Sequence, residues 1–405
     1  MLFLTNDKLL SLFKPTKNLI RPADSHSSWS MTDKEINPSP EGADLNLKRF
    51  KSNPSGSPYK VRIGTRIVPL AEYMKTKDKL TTDDIRMLLE NIANRNEYLS
   101  RFYDVSLKVP ESLAIKDPPM KNGHMNNNAL VKYKNVIRNM FYKEILKDTK
   151  SGIENNPTFF DVLEDLYIHH IIDYKILTPS AIHYMKNGRL GSVFSSFYFR
   201  ASIMNPYLVH SLNQSVLHGT RIFTPTLGWC SYCYGFLESP SVVEYVGTDV
   251  IPRVCKKTTE FARTYYPAKT VEIYDSPSEQ LLTSKPFLAK YASHFDVVFF
   301  SPPYYRLEMY PGKKQSTTTY KTYEEWLTGY WEKTIQLCHK VLVPGGKMCY
   351  ILSGYGPDNQ YDLIGDMNRI AQKYFTLKNT QSMGNKNVHV TEHRETDEKI
   401  MIFVK

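Results

Sequence analysis

Between residues 221 and 305 one pattern recurs four times: an apolar run of strand length, a short polar or proline-bearing turn, and a change of rhythm that leads into the next helix or loop. Few folds accommodate such alternation. Each return to the same sheet edge needs a crossover of a dozen residues or more, and parallel strands are covered on both faces, so the pattern specifies an α/β parallel sheet. RIFTPTLGWCSYCYGFL (221–237) predicts a strand, a tight turn around Pro225 and Gly228, and a helix beginning near Ser231. A glycine turn between strand and helix leaves backbone N–H groups free over a ligand at the carboxyl edge of the sheet. VVEYVGTDVIPRVCKKTTEF (242–261) predicts a second strand ending at Asp249, then a helix. An acid about 20 residues past the glycine turn is placed to accept hydrogen bonds from ribose hydroxyls, which implies a nucleoside-containing cofactor. TVEIYDSPSEQLL (270–282) ends its strand at Asp275, whose carboxylate could bond an adenine amino group or cap its own turn; both readings stay open.

The fourth run, HFDVVFFSPPYY (294–305), ends on a serine, two prolines and two tyrosines. An exocyclic amine of adenine or cytosine is a poor nucleophile because its lone pair is delocalised into the ring. The Ser301 hydroxyl and the Pro302 carbonyl can accept its two protons and turn the lone pair towards a methyl sulfonium. Pro302 and Pro303 fix the backbone and remove competing donors. Tyr304 offers a face for a flipped-out base. Downstream come a loop (306–322) bearing Lys313 and Lys314, a helix (323–342), a VPGG turn (343–346) and a strand (347–354). A helix near 358–373 and closing strands around 387–393 and 398–404 follow.

The first half reads differently. Residues 1–58 are rich in Pro, Ser, Asp and Asn and predict a disordered tail. A strand pair is expected at 59–70, and helices at 81–100 (capped by Thr82 or Asp83), 128–149 and 159–174, the last carrying His169 and His170. Net charge is +11, and residues 51–150 hold 19 Lys/Arg against 11 Asp/Glu, so this helical region can face a polyanion. Five cysteines, an odd number, point to a reducing compartment without disulfides, and no apolar stretch is long enough to span a membrane. An intracellular protein, cytoplasmic or nuclear, is expected. Cys230 and Cys233 form C-x-x-C, but no second pair follows, so no metal is expected.

Segment 195–354 resembles the catalytic core of the S-adenosylmethionine-dependent amino-methyltransferases of DNA, whose catalytic motif is Asp, Asn or Ser followed by Pro-Pro-Tyr or Pro-Pro-Phe; Ser301-Pro302-Pro303-Tyr304 fits it. The resemblance implies a Rossmann-like class I methyltransferase sheet over 191–405, S-adenosyl-L-methionine as cofactor, and double-stranded DNA with a flipped base as partner. It implies cofactor contacts at Phe199 and Asn205 in FYFRASIMNPYLVHSLNQ (197–214), at Thr224, Pro225 and Gly228, and at Asp249, Val250, Asp275 and Ser301. Tyr304, Tyr305, Lys313 and Lys314 would meet the substrate. Thr224 and Cys230 depart from the family's acidic residue and second glycine. Serine at the first motif position is commoner for cytosine N4 than for adenine N6. With no room for a target-recognition domain after the sheet, the basic, mainly helical domain 59–190 is expected to serve. The competing readings are a catalytically vestigial nucleic-acid-binding subunit, and a methyltransferase acting on RNA or a protein amine.

Overall fold

A computed structural model describes residues 58–77, 79–93, 113–153, 156–187, 190–354, 361–384 and 395–405. The tail over 1–57, the helix end at 94–100, the helix start at 358–360 and the strand expected at 387–393 lie outside the described residues. The chain forms two compact units, and their described parts are 113–141 with 202–405, and 58–93 with 142–201. In place of a single boundary near 190, the chain passes between the units three times among the described residues. Among the described residues no helix is long and apolar enough to cross a membrane.

In the smaller unit the expected strand pair is a hairpin, Lys60–Ile63 against Arg66–Pro69, turned at Gly64 with φ +60°. Its first strand also pairs in parallel with Ile171–Asp173. That third strand corrects the helix expected over 159–174. The helix starts where Thr158 accepts the Asp161 N–H (3.1 Å) and ends at Tyr167, because His170 turns the chain left-handed at φ +55°. The 81–100 helix is capped one residue earlier than expected: the Thr81 hydroxyl and the Asp84 carboxylate each accept the other's backbone N–H at 3.1 and 3.0 Å. The helix expected over 128–149 is interrupted at Phe141, which leaves helical geometry at φ −126°, and there the chain passes from one unit to the other.

The larger unit carries a seven-stranded sheet: β1 (Arg221–Thr224), β2 (Glu244–Asp249), β3 (Thr270–Asp275), β4 (Phe295–Phe300), β5 (Leu342–Leu352), β6 (Thr376–Gly384) and β7 (Glu395–Val404). Their order is β6-β7-β5-β4-β1-β2-β3. Strands β1 to β5 are parallel, and β7 runs antiparallel between β5 and β6. This is a Rossmann-like sheet. Succession from β1 to β3 moves one way across it and β4 begins again on the other side of β1, so the crevice outside the β1 and β4 carboxyl ends is its topological switch point.

Apolar side chains from both faces fill the core. Trp331, on the helical run that follows β4, is fully buried against Phe300 and Tyr350 (ring centroids 5.7 and 5.2 Å), and its indole N–H donates to the Met367 carbonyl (3.0 Å). The segment 113–141 belongs here through α1 (Pro206–Leu212) and α2 (Ser231–Leu237). Tyr133 stacks on Tyr207, and the hydroxyls of Tyr207 and Tyr234 donate to the carbonyls of Pro118 and Leu113, each at 2.6 Å.

Candidate active site

A cavity of about 250 Å³ opens at the switch point, and every strand end around it supplies part of its wall. Pro225, Thr226 and Gly228 follow β1; Asp249 and Val250 end and follow β2; Ser276 to Glu279 follow β3; Ser301 to Tyr304 follow β4; Ser353 follows β5; Glu398 stands near the start of β7. Because β7 runs antiparallel, its first residues lie at the same edge as the last residues of β5.

The turn after β1 is tight and left-handed through three residues, Gly228, Trp229 and Cys230, at φ +51°, +58° and +70°. Only at Gly228 is this free of Cβ strain, and a Cβ there would run into the Tyr232 ring. Cys230 and Cys233 are buried and pack the turn, and burial pushes the Cys233 thiol well up. Gly228→Ala is expected to cost about 1–3 kcal/mol of stability, as strained left-handed residues do, read as a shifted denaturation midpoint. An unshifted midpoint would show that the turn relaxes without cost.

Asp249 accepts the N–H groups of Leu227 and Ile251, one on each carboxylate oxygen at 3.1 Å. Burial raises its pKa, and these N–H groups work against that rise. Each oxygen keeps a second lone pair for a ligand. Tyr330, also in the wall, has a buried hydroxyl with no hydrogen-bond partner among the described residues.

At the β4 end, the Ser301 N–H donates to the Tyr232 hydroxyl (3.1 Å), which fixes the serine's backbone from α2. Two prolines follow without N–H groups. Tyr304 is held by its hydroxyl, which accepts from the backbone N–H (2.8 Å) and hydroxyl (3.2 Å) of Ser353. The ring is thus pinned at its far end, and burial raises the phenol's pKa.

Several expected residues stand elsewhere. Asn205 is fully buried as the cap of α1: its side-chain oxygen accepts the Tyr207 N–H (3.0 Å) and its amide donates to Ala129. Thr224 is buried in a hydrogen bond with the Tyr245 hydroxyl (2.7 Å). Phe199 belongs to the smaller unit, where its backbone exchanges hydrogen bonds with Pro157 and Phe159. Asp275 is exposed, pairs with Lys314 (3.6 Å) and is not among the residues that line the cavity. Tyr305 is buried away from the cavity among Tyr323, Trp326 and Tyr361, and its hydroxyl donates to the Lys321 carbonyl. Lys314 lines the cavity, while Lys313 is exposed outside it.

Residues with no sequence signal complete the wall. Tyr232, Glu279, Glu308, Ser353 and Glu398 reach it only through the fold. Glu308 accepts the Ser202 N–H (2.9 Å) and the Tyr310 hydroxyl (2.5 Å). Burial raises the pKa of Glu279, Glu308 and Glu398 alike.

No protein-family model and no curated protein matches the chain. Among solved structures it is similar to TrmN from Thermus thermophilus (13% identity, TM-score 0.34, covering 50% of this chain and 49% of that one). It is also similar to the N-methyltransferase NodS from Bradyrhizobium japonicum WM9 in complex with S-adenosyl-L-homocysteine (13%, 0.32, 49% and 83%) and to the PH0226 protein from Pyrococcus horikoshii OT3 (12%, 0.29, 46% and 81%). The chain thus spans about half the length of TrmN. At these scores the likenesses decide neither chemistry nor substrate.

Proposed function

We propose that this protein transfers a methyl group from S-adenosyl-L-methionine to the exocyclic amino group of a base in DNA, with cytosine N4 favoured over adenine N6. The observation that carries the reading is that Ser301 to Tyr304 open into the same cavity as Gly228 and Asp249. A rigid acceptor turn for an amine and a glycine turn with an acidic partner thereby share one chamber.

The residues present fit the cofactor. Asp249 has lone pairs left for ribose hydroxyls, Gly228 lets a ligand approach the backbone, and the Tyr330 hydroxyl has no partner among the described residues, which a polar ligand can supply. When bound, S-adenosyl-L-methionine supplies an electrophilic methyl group. The Ser301 hydroxyl and the Pro302 carbonyl accept the amine's protons, Tyr304 presents its ring to the base, and Lys314 and Gln315 bring the following loop to the cavity mouth. The neutral serine is the feature that favours cytosine. DNA contacts through the basic region 59–190 are part of the proposal, and the lysine–phosphate term makes binding fall with salt.

Parallel transfer of tritiated methyl onto duplex DNA, RNA and protein tests the reading: label on DNA supports it, label confined to RNA or protein overturns the DNA assignment, and no label on any of them favours a vestigial fold. Asp249→Asn should weaken S-adenosylhomocysteine binding by about 10- to 100-fold, since hydrogen bonds to charged groups contribute about 1.5–3 kcal/mol. An unchanged dissociation constant by calorimetry would remove Asp249 from the cofactor site.

A further inference from the structure

We infer that Glu398, near the start of β7, accepts the proton that the substrate amine gives up on methylation; the inference rests on the methyl-transfer reading above. As the amine's lone pair forms the nitrogen–carbon bond, the carbon–sulfur pair stays on sulfur, which becomes a neutral thioether. The nitrogen is left with both hydrogens, the methyl group and the positive charge. One proton must leave to give the neutral methylamine. A serine hydroxyl and a proline carbonyl can accept hydrogen bonds but are far too weakly basic to hold a proton near neutral pH. A carboxylate can.

Among the described residues four carboxylates line the cavity: Asp249, Glu279, Glu308 and Glu398. Asp249 is given to the cofactor's ribose in the reading above, with a backbone N–H already on each oxygen. Ser202 and Tyr310 engage both oxygens of Glu308. Glu279 follows β3, at the opposite edge of the sheet from β5 and β7. Glu398 is on the serine's side. Lys399 pairs with Leu352, which sets Glu398 beside Ser353, and Ser353 holds the Tyr304 hydroxyl.

The charged and titratable groups that act at this corner are Lys134 from the helix Val131–Met140, Tyr304 after β4, and Glu308, whose charge also reaches Tyr304. From β7 itself, Lys399 is turned to the Ser382 hydroxyl on β6. Burial lifts the Glu398 pKa and Lys134 pulls it back, leaving it above the ordinary glutamate value. A base lifted towards neutrality binds the departing proton more firmly than an exposed glutamate would.

The test is single-turnover transfer of tritiated methyl onto mixed-sequence duplex DNA over a pH series, for the parent, Glu398→Gln and Glu398→Asp. The parent's rate should rise with pH through an ionisation above the usual glutamate range, since the base works deprotonated. Glu398→Gln should lose about 10²-fold in rate, within the usual range for general-base removal, and should lose that acid limb. Glu398→Asp should recover part of both. Affinity for S-adenosylhomocysteine should not change in either variant. Infrared difference spectra of the free protein under acid titration give a readout independent of turnover: one carboxyl band that protonates above the ordinary range should vanish in Glu398→Gln. A glutamine variant with the parent's rate and limb, or with the parent's carboxyl bands, overturns the inference and leaves the methyltransferase reading intact. A parent that labels no acceptor overturns both. Should the glutamine variant fail to fold, the aspartate variant decides: parental rate and pH profile with the carboxylate drawn back by one methylene would overturn the assignment.

Discussion

Alanine at Tyr304 is expected to slow methyl transfer by about 10²- to 10³-fold, combining a lost base stack of about 1–3 kcal/mol with the loss of the hydroxyl that anchors the turn. Cofactor affinity should stay close to the parent's, because the ring belongs to the β4 end and Asp249 to the β2 end. Phenylalanine should fall between. It keeps the ring, yet leaves the Ser353 N–H without the acceptor it has at 2.8 Å. Single-turnover rates and calorimetry on the three proteins separate these effects. Should Tyr304→Ala label DNA at the parent's rate, the turn is merely where a strand ends.

The second large effect concerns stability. Trp331→Ala is expected to lower unfolding free energy by about 3–5 kcal/mol, the usual cost of truncating a large buried aromatic. The indole is fully buried between the Phe300 and Tyr350 rings, and its N–H donates to the Met367 carbonyl, a hydrogen bond that would be lost. Phe300 immediately precedes Ser301. The same void should therefore loosen the acceptor turn and depress activity at temperatures where the variant is still folded. Denaturant melts measure the first effect, and a loss below about 1 kcal/mol would mean that the pocket collapses around the gap.

Much of the sheet could be read from the chain because β1 to β5 are parallel and, β3 at the edge excepted, largely buried. Such strands announce themselves as apolar runs, and their boundaries at Thr224, Asp249, Asp275 and Phe300 follow from the polar or proline residues at their ends. Strand β6 could not be read in this way. TLKNTQSMG forms the sheet's edge with mostly half-buried and exposed side chains, so it carries little hydrophobic signal. His170 broke a helical pattern through a left-handed turn that no periodicity announces. In the cavity, Asp249 and Ser301 were legible because a strand end fixes where they point. Asp275 has the same position on its strand, but it is exposed, pairs with Lys314 and is not among the residues that line the cavity. Tyr232 and Glu398 needed the tertiary fold, since only sheet order brings α2 and β7 to the β4 end. Asn205 and Thr224 came from resemblance, and local hydrogen bonding has claimed them for a helix cap and a strand contact.

The interleaving of the two units also governs what a protease or a cloned fragment can do. A piece beginning near residue 191 keeps all seven strands but omits 113–141, and with them the Tyr133 ring against Tyr207 and the carbonyls that receive the Tyr207 and Tyr234 hydroxyls. Helices α1 and α2 would then expose a raw aromatic face next to the residue that steadies Ser301. One nick cannot part the units into two intact bodies, because among the described residues the chain passes between them three times. A clean excision of the sheet would have to rejoin 141 directly to 202, stitching two distant stretches into a continuous polypeptide.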